Sequence, residues 1–159
     1  MLQPHKDNPA VTLTTVQPED FETLVAMRIE AMRESLERIG RFDPVRARER
    51  FREGFSAPHT RYIEVSGHRV GFVVIKPIDD GLLLDHLYIM PGAQGQGIGL
   101  AVLGQVFAQA DATSSAVRVG ALKGSNSNRF YLRHGFQLVE SGEFDNYYVR
   151  YGLEIRPLR

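Results

Sequence analysis

Residues Pro91–Leu103 read PGAQGQGIGLAVL, with four glycines inside eight positions and an apolar helical pattern directly behind them. Ahead of them stands LLLDHLYIM, Leu82–Met90, a strongly apolar run expected as a strand. The chain therefore passes from strand to helix through backbone free to take left-handed dihedrals. The first four amides of a helix have no partner within it, and the helix dipole adds partial positive charge there. Glycines that let a ligand come close would turn those amides into a phosphate site without any basic side chain. The same glycines would also serve a turn that merely connects.

The rest of the chain alternates around this point. TLTTV (Thr12–Val16) is short and β-branched and is expected as a strand. Pro18, Glu19 and Asp20 mark a helix start, followed by Phe21, Val25, Ile29, Met32, Leu36 and Ile39 at helical spacing up to Gly40. Asp43-Pro44 opens a more charged helix running to about Phe55. From Thr60 the period changes to two: RYIEV, a Ser66-Gly67 turn and RVGFVVI read as a hairpin, and Asp79-Asp80-Gly81 as a further turn. A helix is expected from about Ile98 to Ala112, a strand over AVRVGAL (Ala116–Leu122), and a short helix over SNSNRFYLRH stopped by Gly135. FQLVES and NYYVRYGL supply the last strands. No repeat or linker divides the chain, so a single α+β (mixed α/β) domain over residues 11–155 is expected, after a frayed polar tail over 1–10.

At 159 residues the chain is long enough for one core. Nineteen basic and nineteen acidic side chains cancel, which argues for neither a nucleic-acid nor a membrane partner. Without cysteine, disulfides, thiolate catalysis and zinc–thiolate sites are excluded. His5, His59 and His68 fall in a tail, a connector and a turn without metal-ligand spacing, so no metal is expected. With neither a signal-peptide pattern nor an apolar run near the roughly 20 residues of a membrane span, a cytoplasmic protein is expected.

Two familiar phosphate loops fail on the glycines. Counted from Gly95 or Gly97, the dinucleotide pattern G-x-G-x-x-G meets Leu100 or Val102 at its last position. A P-loop counted from Gly92 reaches Gly97 but then meets Ile98 and Gly99 instead of Lys and Ser or Thr. The run Gln94-Gly95-Gln96-Gly97-Ile98-Gly99 does fit Q/R-x-x-G-x-G, and so resembles the acyl-CoA loop of the GCN5-related N-acetyltransferases (the GNAT superfamily). LDHLYIMP resembles that family's fourth strand, and NRFYLRHGF its F-Y-x-x-x-G-F helix and strand. The resemblance covers about residues 11–151. It implies a six- or seven-stranded mixed, mostly antiparallel sheet flanked by about four helices. Gln94 stands where many members carry arginine, which removes a charge but leaves the amides.

The resemblance implies an acetyl-CoA-dependent N-acetyltransferase, in which a primary amine attacks the thioester directly. Backbone groups of Leu87, Tyr88 and Ile89 would pair with the pantetheine arm. The loop Gln94, Gly95, Gln96, Gly97, Ile98, Gly99 and Leu100 would hold the pyrophosphate. Asn128 corresponds to a pantetheine contact, and Arg133 would reach an outer phosphate. Tyr131 corresponds to the acid that protonates the leaving thiolate. Alkyl amines have pKa values of about 10, so a proton must first be removed. Asp85 stands where family members carry that base, acting directly or through water. Asp85, Leu87 and Ile89 share one strand face and His86 and Tyr88 the other, so His86 has the better intrinsic pKa but the wrong face. Acceptor candidates are Arg28, Met32, Phe42 and Tyr147, with Met27, Arg41, Phe144 and Tyr148 beside them.

The acceptor itself, a small molecule or a peptide amine, is not specified by these residues. Members of the family often pair through their last strands, so the resemblance allows a homodimer. Two rival readings stay open: a non-catalytic CoA-binding module that kept the cradle, and an unrelated nucleotide-binding fold.

Overall fold

The computed structural model describes residues 10–152. They form seven strands, β1 Val11–Thr15, β2 Thr60–Val65, β3 His68–Ile78, β4 Gly81–Ile89, β5 Ala116–Leu122, β6 Gln137–Ser141 and β7 Asp145–Arg150. Four α-helices accompany them: α1 Phe21–Arg38, α2 Pro44–Gly54, α3 Ile98–Ala112 and α4 Ser127–Arg133. The strands lie in one sheet in the order β1-β2-β3-β4-β5-β7-β6. β4 and β5 run parallel, whereas β1–β2, β2–β3, β5–β7 and β6–β7 are antiparallel. The expected mixed α+β fold is therefore the one observed. All but one residue of the expected polar tail lies outside the described residues.

The described residues divide into two compact units: those up to Val74 with His86–Val102, and Ile75–Asp85 with those from Leu103 onward. In the first, Val65 pairs with His68, leaving a two-residue turn in which Ser66 and Gly67 both have positive φ. That is the requirement of the type I′ turn that suits the twist of a hairpin. Its core gathers Val16, Leu24, Val25, Phe51, Tyr62, Phe72 and Val74. Phe51 sits at the centre, 5.8 Å from the Phe21 ring, 5.8 Å from Phe55 and 5.6 Å from Phe72. Aromatic pairs at such separations add to their area burial. One close approach fixes β3 against β4: a Cβ added at Gly71 would stand 2.0 Å from the Tyr88 carbonyl oxygen.

Three expectations need correction here. Val16 follows β1 as a buried core residue outside the strand. Pro18–Asp20 form a single 3-10 turn, closed by the Asp20 amide on the Gln17 carbonyl at 2.9 Å, and α1 starts only at Phe21. The buried residues of α1 are Leu24 and Val25, and Ile39 is 39 % exposed. The expected stripe stepped from 21 to 25 and passed over the i+3 neighbour that a 3.6-residue turn also brings inward. Ile39 lies beyond the last helical residue, where the chain turns at Gly40 (φ +70).

In the second unit the parallel ladder runs from Gly81↔Ala116 to Leu84↔Val119, and β5 continues along β7 as far as Leu122↔Asp145. Leu103, Val106 and Ala110 of α3 are fully buried or nearly so. Arg150 of β7 fastens to this helix by a two-pronged ion pair with Asp111, at 2.8 and 3.2 Å, while its guanidinium lies 4.0 Å from the Phe107 ring centroid.

Candidate active site

The glycine run forms the approach to α3. A single turn over Pro91–Ala93 leads into Gln94–Gly97, where Gly95 and Gly97 have φ of +76 and +79. A Cβ at Gly95 would meet nothing within 4 Å, so the left-handed backbone rather than space calls for glycine. The Ala101 amide donates to the Gly97 carbonyl at 3.1 Å, the bond that opens the helical series. The amides of Ile98, Gly99 and Leu100 come ahead of it, at the positive end of the helix dipole. Ile98 is buried and anchors the helix start, and Leu100 is exposed. The two glutamines fold the loop onto itself: Gln94 Nε2 donates to the Ile89 carbonyl at 2.9 Å and Gln96 Nε2 to that of Gly92 at 3.4 Å. Gln94 thus spans from the loop to the last residue of β4, a role its identity alone does not reveal.

On β4 the expected alternation holds. His86 Nδ1 lies 2.9 Å from the Tyr88 hydroxyl, and both rings face the aromatic core, His86 at 5.3 Å from Phe51 and Tyr88 at 5.3 Å from Phe72. Arg28 of α1 joins them, its Nε donating to the Tyr88 hydroxyl at 3.2 Å and its Nη1 to the Ala47 carbonyl of α2 at 2.7 Å. Arg28 therefore holds α1, α2 and β4 together. Of the other acceptor candidates in this unit, Phe42 carries the Arg33 guanidinium 4.5 Å from its ring centroid and Met32 is half-buried.

In the second unit Asp85 forms an ion pair with Lys76 Nζ at 3.1 Å. Tyr131 is 5 % exposed, its ring packed 5.2 Å from Phe136, 5.5 Å from Phe130 and 6.2 Å from Tyr148. Asn128, one turn earlier on α4, donates from Nδ2 to the carbonyls of Leu122 and Ser125 at 2.9 and 3.0 Å. Its Oδ1 accepts from the Tyr148 hydroxyl at 2.7 Å and from Asn146 Nδ2 at 3.0 Å. An amide side chain has two N–H donors and two acceptor lone pairs, so these four bonds use all of it. The side chain expected to touch pantetheine is committed within the fold. Arg133 is exposed at the end of α4. Tyr147 is exposed, and its ring carbon would lie 3.3 Å from a Cβ at Gly120.

Sequence reasoning missed Lys76, Asn146 and the Arg28–Tyr88 link. Lys76 carried a usable signal, since it stands on the strand that the Asp79-Asp80 turn folds back toward Asp85. The other partners come from 18 to 60 residues away, and no local spacing marks them. Among the described residues no three His, Asp or Glu side chains gather as a metal-ion site, and no helix is long and apolar enough to cross a membrane.

Known proteins offer a comparison for this geometry. The structure resembles that of a PaiA N-acetyltransferase from Thermoplasma acidophilum in complex with coenzyme A, with a TM-score of 0.72 at 17% identity over 89% of this chain and 99% of that one. An acetyltransferase from Thermus thermophilus gives 0.70 at 19% identity over 91% and 98%. A GNAT-family acetyltransferase from Staphylococcus aureus gives 0.65 at 15% identity over 89% and 99%. At these identities the likeness is one of fold. No curated protein matches the chain. The sequence model of the acetyltransferase (GNAT) domain matches residues 58–138, just over half of the chain and all of the run from β2 through the glycine loop to α4. The chain belongs to the GNAT family of acetyltransferases.

Proposed function

We propose that the protein is an acetyl-CoA-dependent N-acetyltransferase acting on a primary amine, carried by a small molecule or a peptide. The observation that carries this reading is the loop Gln94–Gly99, with left-handed Gly95 and Gly97 directly ahead of the α3 amides. Its shape fits a pyrophosphate: the amides come from backbone, and no side chain at Gly95 or Gly97 stands in the way. Coenzyme A bound to a neighbour of the same fold supports the same ligand here. Backbone groups of Leu87, Tyr88 and Ile89 would take the pantetheine arm, and Arg133 an outer phosphate.

Acetyl-CoA supplies an activated acyl thioester. The chain must take one proton from the amine and deliver one to the departing sulfur. Tyr131 is proposed as the donor: a phenol is protonated at neutral pH and near a thiol in acidity. Asp85, or a water it orders, is proposed as the acceptor of the amine proton, with Lys76 holding the carboxylate in place. One observation favours a second reading of that base. His86 is held by the Tyr88 hydroxyl, itself held by Arg28, so its ring is fixed on α1 and β4. A histidine base would make the pH dependence of the rate depend on that ring, so His86→Gln would change it.

The test is release of free thiol from acetyl-CoA across a panel of primary amines, with Tyr131→Phe, Asp85→Asn and His86→Gln beside the wild type. Turnover that falls about a hundredfold or more in Tyr131→Phe, with CoA binding retained, supports the reading. Binding of CoA without turnover on any amine would instead favour a non-catalytic acyl-CoA-binding module. Sedimentation of the same sample tests whether the protein pairs into a homodimer.

A further inference from the structure

We infer that Asn128 is a positioning residue for Tyr131 and contributes nothing directly to cofactor binding. The inference rests on the reading of Tyr131 as the acid. Two main-chain carbonyls, Leu122 at the end of β5 and Ser125 in the following turn, face one end of the Asn128 amide and require its NH₂ there. Its oxygen then faces β7, where the Tyr148 hydroxyl and Asn146 Nδ2 both donate to it. Asn146 is itself oriented by Ser141 of β6, whose hydroxyl donates to Asn146 Oδ1 at 2.8 Å.

A single side chain thus connects the end of β5, the turn before α4, and β7, with β6 behind. Tyr131 lies three residues further along α4, on the same face one turn away. Its ring leans on Tyr148, the residue whose hydroxyl closes the Asn128 network. The Tyr131 hydroxyl must sit within hydrogen-bond reach of a proton acceptor to act, and small misplacements of a reacting group cost rate steeply. The network sets where α4 begins and which way it turns, and so sets the position of that hydroxyl. Ser125 reinforces it, its hydroxyl donating to the same Leu122 carbonyl at 2.7 Å.

The test compares Tyr148→Phe, Asn128→Ala and the double variant, with hydroxylamine as the acceptor. Hydroxylamine is largely unprotonated at neutral pH, so the base is bypassed and proton delivery to sulfur stays in view. Tyr148→Phe keeps a ring against Tyr131 and removes one hydroxyl, so it remains informative if Asn128→Ala does not fold. The expected result is a kcat lowered about tenfold in either single variant. The dissociation constant for coenzyme A stays within about twofold of wild type, and the double variant is no slower than the worse single one. A weakened dissociation constant with kcat preserved would make Asn128 a cofactor contact and overturn the inference. Folded variants with wild-type kcat would reduce the network to a structural one and overturn it equally. Tyr131→Phe separates the two levels. If it is slow while Tyr148→Phe is not, only the positioning role fails; if it turns over normally, the acid reading fails first.

Discussion

Arg28 on α1 and Tyr88 on β4 meet through a hydrogen bond of 3.2 Å from Nε to the hydroxyl oxygen, sixty residues apart in sequence. The same hydroxyl lies 2.9 Å from His86 Nδ1. A residue read as a cofactor-strand position and one read as an acceptor-side arginine are therefore parts of one polar link inside an aromatic core.

Removing that hydroxyl has a definable effect. Tyr88→Phe keeps the ring that packs 5.3 Å from Phe72 but leaves Arg28 Nε and His86 Nδ1 without this partner. The expected loss is about 1–2 kcal/mol, since one end of the link is a charged donor in a partly buried setting. Urea unfolding would read it as a lower midpoint at unchanged slope.

Gly71 is expected to be far less forgiving than most strand glycines. A Cβ there would stand 2.0 Å from the Tyr88 carbonyl oxygen and 3.0 Å from its carbonyl carbon, both backbone atoms that cannot rotate away. Gly71→Ala must push β3 from β4, at a cost of about 1–3 kcal/mol or more. Gly92→Ala is the control, since nothing lies within 4 Å of its Cβ. Thermal unfolding of the pair should lower the melting temperature of the first well below that of the second.

Acid should weaken the protein through its aspartate–arginine pairs. Hydrogen bonds from Arg118 hold the Asp80 carboxyl below the usual range, and hydrogen bonds from Arg150 do the same for Asp111. A carboxylate depressed in the folded state contributes stability above its unfolded pKa of about 4, and that contribution is lost as the pH falls through the folded value. Stability should therefore drop on going from about pH 5 to pH 3. The double variant Asp80→Asn, Asp111→Asn should begin less stable at neutral pH and lose less over that interval, as read by denaturant melts at each pH.

Some of this was legible in the sequence because the relevant signal is local. The switch from LYIM through glycines to an apolar helical pattern bounded α3 at Ile98 and Ala112, and the Ser66-Gly67 turn located the β2–β3 hairpin. The role of Phe51 was hidden, because α2 carries four arginines and its one core anchor looks like an isolated aromatic. The hydrogen bonds of Asn128 were hidden for a different reason. Its resemblance to a family contact was local, whereas the partners that consume its side chain stand on β5 and β7. Gln94 likewise gave no sign that it would reach back to Ile89.

As an acyl-CoA cradle, the loop Gln94–Gly99 should select acetyl-CoA over other nucleotides. Thermal unfolding of the wild type and of Gly97→Ala, with acetyl-CoA, ATP or NAD each added, tests it most directly. At a hundredfold excess over its dissociation constant a ligand adds about 2.7 kcal/mol, which at roughly 2–4 °C per kcal/mol for a domain of this size is a rise of about 5–11 °C. That rise is expected for the wild type with acetyl-CoA alone, and a smaller one or none for Gly97→Ala, whose backbone must keep a φ of +79 with a side chain present. A folded wild type that ignores acetyl-CoA, or responds equally to ATP and NAD, would contradict that role for the loop.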